Sequence, residues 1–402
     1  MQTVLERPAS AAGTATAPAR RPWRTAIRSA LAVWSTIFVV HLLVSALAWL
    51  PRKDGQVPDL AAMFLGWNRW DAGHYVRIAE HGYHLGPGFP AFFPLYPLLI
   101  RVTDVLLPGG ALVSALVVAN AAAAGALAVL HRLAEHEFGP AVAQRATWYL
   151  AAFPTGFFLF IGYNESLFLL LAIGALYAGR RGHWWLAGSL GALASATRLF
   201  GVLLMAPLAV EYLRQAGLFE AGPRRIRLRP DALAILLVPL GVVAYAVYCA
   251  IDLGSPLAFS IAQDQWGRRY TVPGEAWLIS LRQAHAHPLL SPSTLGALLD
   301  AGTVLLAAVL LVLAVKGRLR FRRDQLYLVV QGALTLLLLM STEVGGRSMQ
   351  SAARYAMEAV AIFLVLARAG ADRLVDRAVL TIGVALHAVL LVVFTAGTFL
   401  VA

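Results

Sequence analysis

Long apolar runs alternate with short polar segments along nearly the whole chain. The first apolar run follows Arg28 and ends near Leu50. Since a helix needs about 20 apolar residues to cross a bilayer, a run of this length predicts an uncleaved membrane span. The whole pattern predicts an all-α polytopic membrane protein with about eleven transmembrane helices. The later apolar stretches fall at roughly 111–131, 146–161, 165–180, 183–197, 199–213, 231–251, 296–316, 325–341, 353–369 and 378–401.

Two longer segments, residues 51–110 and 252–295, interrupt this alternation, and neither has the character of a separate domain. In the first long segment, apolar residues recur at near-helical spacing over 59–81, and prolines interrupt a second apolar stretch over 89–107. We therefore expect two interfacial helices that lie flat on the membrane between the first two spans. The tryptophans that suit the bilayer interface are Trp67 and Trp70.

The amino-acid composition also indicates a membrane protein. Of 402 residues, 59% are apolar and 13% are charged, which is about half of the roughly 25% charge of a soluble domain. These proportions exclude a disordered protein, a coiled coil and an ordinary soluble enzyme. Residues 1–20 are rich in Ala, Thr and Pro, and they predict a disordered cytoplasmic tail before one integral membrane domain over 21–402.

Charge predicts the orientation of the spans. The chain carries 33 Lys and Arg against 21 Asp and Glu, a formal net charge of +12. Positive residues collect in the cytoplasmic loops of membrane proteins. With the N-terminus in the cytoplasm, most basic residues fall in inner loops, and both long segments fall on the outer face. The predominance of Arg over Lys, with abundant Ala, also suggests a GC-rich bacterial genome.

The densest polar cluster lies at 68–75, in the first long segment. On a helix, Asp71, His74 and Tyr75 share one face because they stand at positions i, i+3 and i+4. A carboxylate beside a histidine can accept a proton from a bound hydroxyl while the imidazole contacts an anion, which is a general-base geometry. From spacing alone, the alternative is an interfacial helix with a solvated polar face.

A second polar cluster, 163–166, falls at the turn between the third and fourth predicted spans. Asn164 is a residue type that caps helices, and Glu165 would favour the positive start of a helix. A purely capping role is therefore one interpretation of this cluster.

Arg198 and Arg354 lie near the outer ends of predicted spans, where ionisable residues are functional candidates by default. A guanidinium can hold a phosphate through two parallel hydrogen bonds. The alternatives are that Arg198 extends to lipid headgroups and that Arg354 pairs with Glu358 one turn along its helix. Arg268 and Arg269 could also attract phosphates, but an exposed loop face is the favoured interpretation.

Other kinds of chemistry have no motif in the sequence. It lacks a Walker loop, a dinucleotide-binding glycine pattern and a nucleophile elbow, so a soluble nucleotide sugar or ATP is not the indicated substrate. The spacing of His81 and His84 relative to carboxylates matches no metal signature, and we predict neither a metal nor a cofactor. Cys249 is the single cysteine and excludes an internal disulfide.

Several motifs, taken in order along the chain, resemble one enzyme family. Residues 69–83, RWDAGHYVRIAEHGY, look like the first outer-loop motif of the GPI mannosyltransferase 2 family. These membrane enzymes add the second mannose to the GPI-anchor glycan. The aromatic and proline block over 91–97, the Tyr-x-Glu-Ser turn over 163–168, and shorter matches around Arg198 and Arg354 resemble the later motifs.

The resemblance implies a GT-C type glycosyltransferase, which uses a polyprenyl-phosphate sugar on the outer or lumenal face of a membrane. It implies that Asp71 acts as the base or positions the acceptor, and that inversion of a β-linked donor gives an α-mannoside. The Ala-rich spans depart from the family, and a bacterial origin would remove GPI as the acceptor. The residues that we assign to substrate contact are Arg69, Trp70, His74, Tyr75, Glu165, Arg198, Arg354 and Tyr355.

We therefore expect a mannosyltransferase of the cell membrane. It would move mannose from a polyprenyl-phosphate-mannose donor to a glycan or glycolipid acceptor among the membrane lipids, with no nucleic-acid partner. Glu165 would orient a sugar hydroxyl or hold Arg198. A transporter or flippase of lipids or glycolipids is the second hypothesis, and it predicts midplane polar residues and repeated halves. A non-catalytic membrane partner is the third, and it predicts that Asp71 is dispensable.

Overall fold

The computed structural model describes residues 23–49, 59–218, 229–345, 347–398 and 400, and these residues form an almost entirely helical protein. The predicted fold class, an all-α polytopic membrane protein, is confirmed. The predicted tail at 1–20 lies outside the described residues. The helices are α1 (Trp23–Leu47), α2 (Leu60–Leu65), α3 (Asp71–His81), α4 (Leu95–Leu106), α5 (Gly110–Phe138), α6 (Pro140–Ala151), α7 (Glu165–Arg180), α8 (Trp184–Thr197), α9 (Met205–Gln215), α10 (Leu240–Asp252), α11 (Ala258–Gln265), α12 (Glu275–Ala286), α13 (Pro292–Val315), α14 (Leu326–Leu339), α15 (Ala352–Tyr355), α16 (Val360–Ala369) and α17 (Arg373–Thr395).

A small antiparallel sheet connects the second long segment to the loop that follows α14. Its strands are β1 (Arg269–Tyr270), β2 (Thr342–Val344) and β3 (Arg347–Ser348), with β2 in the middle. Arg269 stands opposite Glu343, and Tyr270 stands opposite Thr342. Short 3-10 turns complete the described elements, at Phe89–Ala91, Gly156–Leu159, Leu199–Leu204, Pro230–Leu237, Arg323–Gln325 and Ala356–Glu358.

Four helices of the described residues are long and apolar enough to cross a membrane: α1, α5, α13 and α17. The 3-10 helix Pro230–Leu237 and α10 meet at an angle of 46° and give a fifth if the bent pair is one span. Pro239 lies at the bend and has no backbone N–H with which to continue the helical hydrogen bonds. Other predicted stretches form shorter helices, such as the 16-residue α7, and the stretches at 146–161, 199–213 and 353–369 are each broken into two or more elements. The count of about eleven spans stays a prediction.

The outer sides of the long helices carry exposed apolar side chains. Leu43 of α1 is 59% exposed, and Val312 of α13 is 57% exposed. Such surfaces would drive association in water, whereas in a bilayer they contact lipid tails. The distribution of exposed apolar residues therefore agrees with a multi-pass membrane protein.

Helix α5 lies at the centre of the bundle and packs against α1, α4, α6 and α7, while α7 packs against α8. Small residues allow these helices to approach closely. At Gly188 of α8, a Cβ atom would lie only 1.9 Å from the carbonyl oxygen of Ala234, so the contact with the Pro230–Leu237 turn requires glycine. This packing brings the start of α7 beside the end of α8, where the candidate residues of both helices meet.

The first long segment departs from the prediction over 59–81. The stretch forms two helices, α2 and α3, because the chain turns between them and Trp70 adopts a φ of +48°. Trp67 is fully buried, and its indole nitrogen donates to the Ser45 hydroxyl at 3.0 Å. The interfacial position predicted for Trp67 is therefore wrong, because the turn packs this side chain against α1. That α3 and α4 lie flat on the membrane stays a prediction.

Candidate active site

A cavity of about 330 Å³ opens where the starts of α3 and α7 meet the end of α8 and the short helix α15. The segment before β1 and the loop after α14 complete its wall. The cavity thus collects residues from both long segments and from the helical bundle. The predicted site residues that line it are Trp70, Asp71, His74, Tyr75, Arg198, Arg354 and Tyr355.

The start of α3 carries the carboxylate of this cavity. Asp71 is the first residue of α3, directly after the turn at Trp70. Its side chain is 26% exposed, so one part of the carboxylate remains open to the cavity. His74 and Tyr75 follow one helical turn later and line the same cavity, which confirms their predicted common face.

His74 lies among aromatic rings rather than in open solvent. Its ring centroid is 5.0 Å from that of Phe92 and 5.2 Å from that of Trp266. Burial lowers the pKa of His74 below 6.5, and the Asp71 carboxylate opposes this shift. His74 is therefore neutral near pH 7, with one nitrogen that donates and one that accepts. Burial raises the pKa of Tyr75 well above 10, so this phenol keeps its proton.

Arg354 connects Asp71 to the protein interior. Its Nη1 donates to Asp71 Oδ2 at 2.8 Å, and its Nε lies 3.2 Å from Glu165 Oε1. The Arg354 side chain is only 3% exposed. A buried charge of this kind is stable when it is paired with opposite charges. Arg354 thereby holds the Asp71 carboxylate in a fixed orientation.

Arg198 occupies the next position in the same buried network. Its Nη1 donates to Glu358 Oε1 at 2.5 Å, and its Nη2 donates to Glu165 and Asn164. The ring of Tyr355 lies between the two arginines, with its centroid 5.0 Å from the Arg198 guanidinium carbon and 4.6 Å from that of Arg354. Three carboxylates and two guanidiniums therefore form one connected network.

The structure rejects both non-functional interpretations of the arginines. Arg198 does not extend to lipid headgroups, because its side chain is 10% exposed and bonds to carboxylates of the protein. Arg354 does not pair with Glu358, whose carboxylate bonds to Arg198 instead. The helix is interrupted between Arg354 and Glu358, where α15 gives way to a 3-10 turn, so the spacing of a continuous helix does not apply.

Asn164 serves the network and not the helix start. It stands at the N-cap position of α7, but its side chain makes no capping hydrogen bond. Its amide oxygen accepts from Arg198 Nε at 2.9 Å, and its amide nitrogen donates to the Thr197 carbonyl at 3.1 Å. The purely capping interpretation of 163–166 is therefore wrong. The side chain is drawn away from α7 by the neighbouring guanidinium.

Two predicted substrate-contact residues lie outside the cavity lining. Glu165 is 1% exposed and sits behind the wall, where it bonds to Arg198 and Arg354. The Arg69 guanidinium donates to the Thr395 carbonyl at 2.9 Å, at the end of α17. Both residues contact other protein groups behind the wall, and their contact with substrate stays a prediction.

The second long segment contributes more to the cavity than the sequence indicated. Trp266, Arg268 and Tyr270 line it, whereas Arg269 is exposed. The interpretation of this arginine pair as an exposed loop face is right for Arg269 and wrong for Arg268. The residues that line the cavity, Arg268 and Tyr270, are two positions apart. An extended chain has this period, because its successive side chains point to opposite sides.

The sequence motifs did not identify two acidic residues of the site, one inside the network and one beside it. Glu358 bonds to Arg198, and Asp300 of α13 accepts from the backbone N–H of Ala353 at 2.7 Å. Both lie in predicted apolar stretches. An acidic residue in such a stretch is a candidate for a functional site, and this position could have identified them. Within the described residues, no group of three or more His, Cys, Asp or Glu side chains is arranged to hold a metal ion.

Solved structures of two membrane enzymes align with this chain at low identity. One is the Archaeoglobus fulgidus oligosaccharyltransferase, with 14% identity, a TM-score of 0.44, and coverage of 90% of this chain and 53% of that chain. The other is ArnT from Cupriavidus metallidurans bound to undecaprenyl phosphate, with 16% identity, a TM-score of 0.42, and coverage of 90% and 77%.

Curated relatives match a shorter part of the chain at higher identity. "GPI alpha-1,6-mannosyltransferase 2" of Rattus norvegicus is 38% identical over 161 residues, which are 37% of this chain and 32% of the relative. The protein of the same name from Homo sapiens is 35% identical over 161 residues, with the same coverage of 37% and 32%. The match thus spans about a third of the length of these relatives.

A family model described as "Mannosyltransferase (PIG-V)" matches residues 42–243. That range includes the start of α3, the turn before α7 and the end of α8, and therefore most of the network around Asp71. It covers half of the chain. This chain belongs to the mannosyltransferase (PIG-V) family.

Proposed function

We propose that this protein is a mannosyltransferase that uses a polyprenyl-phosphate-mannose donor and acts on a glycan or glycolipid hydroxyl at the outer face of the membrane. Its family and its membrane-spanning helices support this proposal. The observation that carries it is the Asp71 carboxylate, which is partly exposed in the cavity and lies 2.8 Å from a buried guanidinium. A carboxylate held in this way is available to the proton of a substrate hydroxyl.

In the proposed reaction, the acceptor oxygen attacks the anomeric carbon of mannose, and the bond from that carbon to the phosphate oxygen breaks. The proton of the acceptor hydroxyl passes to Asp71. The bonding electrons stay on the departing polyprenyl phosphate. Attack on the face opposite the phosphate inverts the anomeric carbon, so a β-linked donor gives an α-mannoside.

The buried network prepares Asp71 for this step. Arg354 fixes the carboxylate, and Glu165 and Glu358 hold the two arginines in turn. Such preorganised groups need no rearrangement when charge develops in the transition state. We assign Arg198 and Arg354 to positioning and to the positive potential beside the leaving phosphate, since their guanidiniums already donate hydrogen bonds to side chains of the protein.

We assign contact with the sugar to residues that line the cavity. His74 is neutral and can donate to a sugar hydroxyl or to phosphate, and Tyr75 is a protonated donor. Trp70 and Tyr355 supply aromatic surface at the cavity wall. No nucleotide-binding glycine loop occurs in the sequence, which agrees with a lipid-linked donor.

The outer-face assignment rests on the two ends of α7. Glu165 begins this helix in the site, and Arg180 ends it. Arg180 Nη2 donates to Asp324 Oδ2 at 2.6 Å, in the arginine-rich loop that follows α13. The positive-inside rule favours the cytoplasm for that loop, and therefore the opposite face for the cavity.

The proposal is tested by mannose transfer with detergent-purified protein. We expect turnover with polyprenyl-phosphate mannose and none with GDP-mannose. Asp71→Asn keeps the size of the side chain but cannot take the proton, so its turnover should fall at least about a hundredfold. Asp71→Glu should also be poor, because moving the carboxylate by about 1 Å can cost around 10²-fold.

Asp59→Asn is the matched control. Asp59 caps α2 by accepting from the Ala62 N–H at 2.6 Å, a bond that asparagine can replace, and it lies outside the cavity lining. This variant should retain wild-type turnover. Melting temperature and monodispersity should be measured for every variant. A well-folded Asp71→Asn protein with near-normal turnover would contradict the proposal and favour a transporter or a non-catalytic partner, as would transfer from GDP-mannose alone.

A further inference from the structure

A third arginine of the cavity, Arg268, differs from the other two in its partners. Arg198 and Arg354 each bond to carboxylates. Among the described residues, Arg268 makes no ion pair, and its Nε is buried without a hydrogen-bond partner. Its guanidinium carbon lies 6.0 Å from the ring centroid of Phe200, and both residues line the cavity. A buried donor without a partner costs free energy. A ligand that brings an acceptor atom to the Arg268 guanidinium would remove this cost.

The chain around Arg268 is held on both sides of the cavity mouth. The Trp266 indole nitrogen donates to the Gly88 carbonyl at 3.0 Å, which ties this segment to the first long segment. The Gly345 N–H donates to the Gly267 carbonyl at 3.1 Å, which ties it to the loop after α14. Gly267 has a φ of +61°, a conformation that glycine adopts without strain. Arg268 is therefore presented by an anchored turn.

Only one of the two adjacent arginines lines the cavity. Arg268 and Tyr270 both line it, while Arg269 between them is exposed and stands opposite Glu343 of β2. The two adjacent arginines carry the same charge on opposite sides of one chain. Arg269 can therefore serve as a control for Arg268, since it has the same charge but does not line the cavity.

The charges of the site indicate what Arg268 binds. Three carboxylates, from Asp71, Glu165 and Glu358, meet the two guanidiniums of the buried network. Both of these guanidiniums are thus already paired, and Arg268 is the cation of the lining that stands outside the network. A guanidinium of this kind is well suited to the oxygens of a phosphate.

We propose that Arg268 binds the phosphate of the lipid-linked sugar donor. This inference rests on the proposed function and names the residue that recognises the leaving group. When the bond from the anomeric carbon to the phosphate oxygen breaks, the electron pair remains on that oxygen and the phosphate gains negative charge. The Arg268 N–H groups donate to the phosphate oxygens, and this interaction strengthens as the charge develops.

The test measures binding to the purified full-length protein in lipid nanodiscs. The probes are a polyprenyl monophosphate, the polyprenol of the same chain length, inorganic phosphate, and nanodiscs with or without an anionic phospholipid. Arg268→Gln should weaken binding of the polyprenyl monophosphate about ten- to a hundredfold, the value of one or two charge-assisted hydrogen bonds. Binding of the polyprenol should be unchanged. Arg268→Lys should fall between the wild type and Arg268→Gln, because lysine keeps the charge without the planar fork.

Arg269→Gln is the matched control and should bind the polyprenyl monophosphate as the wild type does. In transfer assays, Arg268→Gln should raise KM for the donor and leave KM for the acceptor unchanged. The probes separate the sources of phosphate. Competition by inorganic phosphate that Arg268→Gln abolishes would support a phosphate site. Loss of affinity only in anionic nanodiscs would instead assign Arg268 to phospholipid headgroups and overturn the inference.

Three further outcomes would overturn it: wild-type affinity of Arg268→Gln for the polyprenyl monophosphate, an equal loss for the polyprenol, or an equal loss in Arg269→Gln. The failures of the two proposals are distinguishable. If the wild type transfers mannose and Arg268→Gln keeps its donor affinity, this inference alone fails. If the wild type neither binds the polyprenyl monophosphate nor transfers from its mannose derivative, the proposed function fails with it.

Discussion

Arg354 has a different neighbour at each of its donor nitrogens. Nη1 donates to Asp71 at 2.8 Å, Nη2 donates to the Tyr355 hydroxyl at 2.5 Å, and Nε faces Glu165 at 3.2 Å. A planar guanidinium presents these donors in fixed directions, whereas an ammonium is a compact charge on a flexible stem. The side chain is therefore a geometric support for the carboxylate as well as a counter-charge.

We predict that Arg354→Lys stays folded but loses most of its turnover. Lysine keeps the positive charge, but its single nitrogen replaces the two separate donors that bond to Asp71 and Tyr355. If the carboxylate then moves by about 1 Å, turnover should fall around a hundredfold. The measurement is kcat for mannose transfer, with melting temperature as the check on folding.

Arg77→Lys is the control for this substitution. Arg77 lies on α3 with Asp71, but its side chain is exposed and is not part of the cavity lining. Its kcat should match that of the wild type. An Arg354→Lys protein with wild-type kcat would show that charge alone, without the fork, is enough to support Asp71.

At the level of elements, the short helix α15 places Arg354 and is itself held from another helix. Its N-cap residue Ser351 has a φ of +64° and makes no capping hydrogen bond with its side chain. The Asp300 carboxylate of α13 accepts from the Ala353 N–H at 2.7 Å in its place. A carboxylate at a helix start satisfies a free backbone donor and suits the positive end of the helix.

Backbone strain also gathers around this site. Among the described residues that are not glycine, positive φ occurs at Trp70, Met349 and Ser351. Trp70 precedes Asp71, and the other two precede Arg354. Such conformations cost about 1–3 kcal/mol each and persist where the surrounding structure enforces them. The strain therefore flanks the two residues of the central ion pair.

We predict that Asp300 is a positioning residue for α15. Asp300→Ala leaves the Ala353 N–H buried without an acceptor, which should cost about 1–3 kcal/mol of stability and displace Arg354. Turnover should fall at least about tenfold, while KM for the donor changes less than kcat. Asp300→Asn keeps an acceptor oxygen and should restore most of the turnover.

The rescue by asparagine separates positioning from general instability. Transfer kinetics and melting temperature should be measured on both variants in the same detergent. If Asp300→Ala lowers the melting temperature but leaves kcat unchanged, Asp300 stabilises the fold without positioning Arg354.

At the level of the whole molecule, polar side chains concentrate at two ends of the bundle. One end holds the cavity, and the other holds the buried pair of Arg180 Nε with Glu137 Oε1, 2.6 Å apart. At that second end, burial alone would raise the pKa of Asp324. The hydrogen bonds and charges of Arg322 and Arg180 together have the larger, opposite effect and lower the pKa to about 2. Asp324 therefore remains charged at neutral pH and ties the arginine-rich loop to the end of α7.

We predict that these ends lie on opposite sides of the membrane. In a Cys249→Ser background, Arg269→Cys should react with a membrane-impermeant maleimide in intact cells, and Arg318→Cys should react only after lysis. Both positions are exposed, so the difference reports membrane side and not burial. Labelling of Arg318→Cys in intact cells would reverse the assigned topology.

The features that the sequence determined by itself depend on residues that are close together along the chain. Apolar run length is a property of neighbouring residues, and it indicated the membrane-spanning helices. The helical period alone placed Asp71, His74 and Tyr75 on one face, because residues three and four positions apart are neighbours on any helix. The motif over 69–83 indicated the family that the match to residues 42–243 then showed.

Only the tertiary structure decided which charges pair. Arg354 and Asp71 are 283 positions apart, and Arg198 and Glu358 are 160 positions apart. Local spacing offered Glu358 as one possible partner of Arg354, and this alternative failed because the chain breaks its helix between them. The cavity that Arg268 lines is likewise formed by segments far apart in the sequence. A buried charge takes the partner that packing brings within hydrogen-bond distance, and that choice depends on the whole fold.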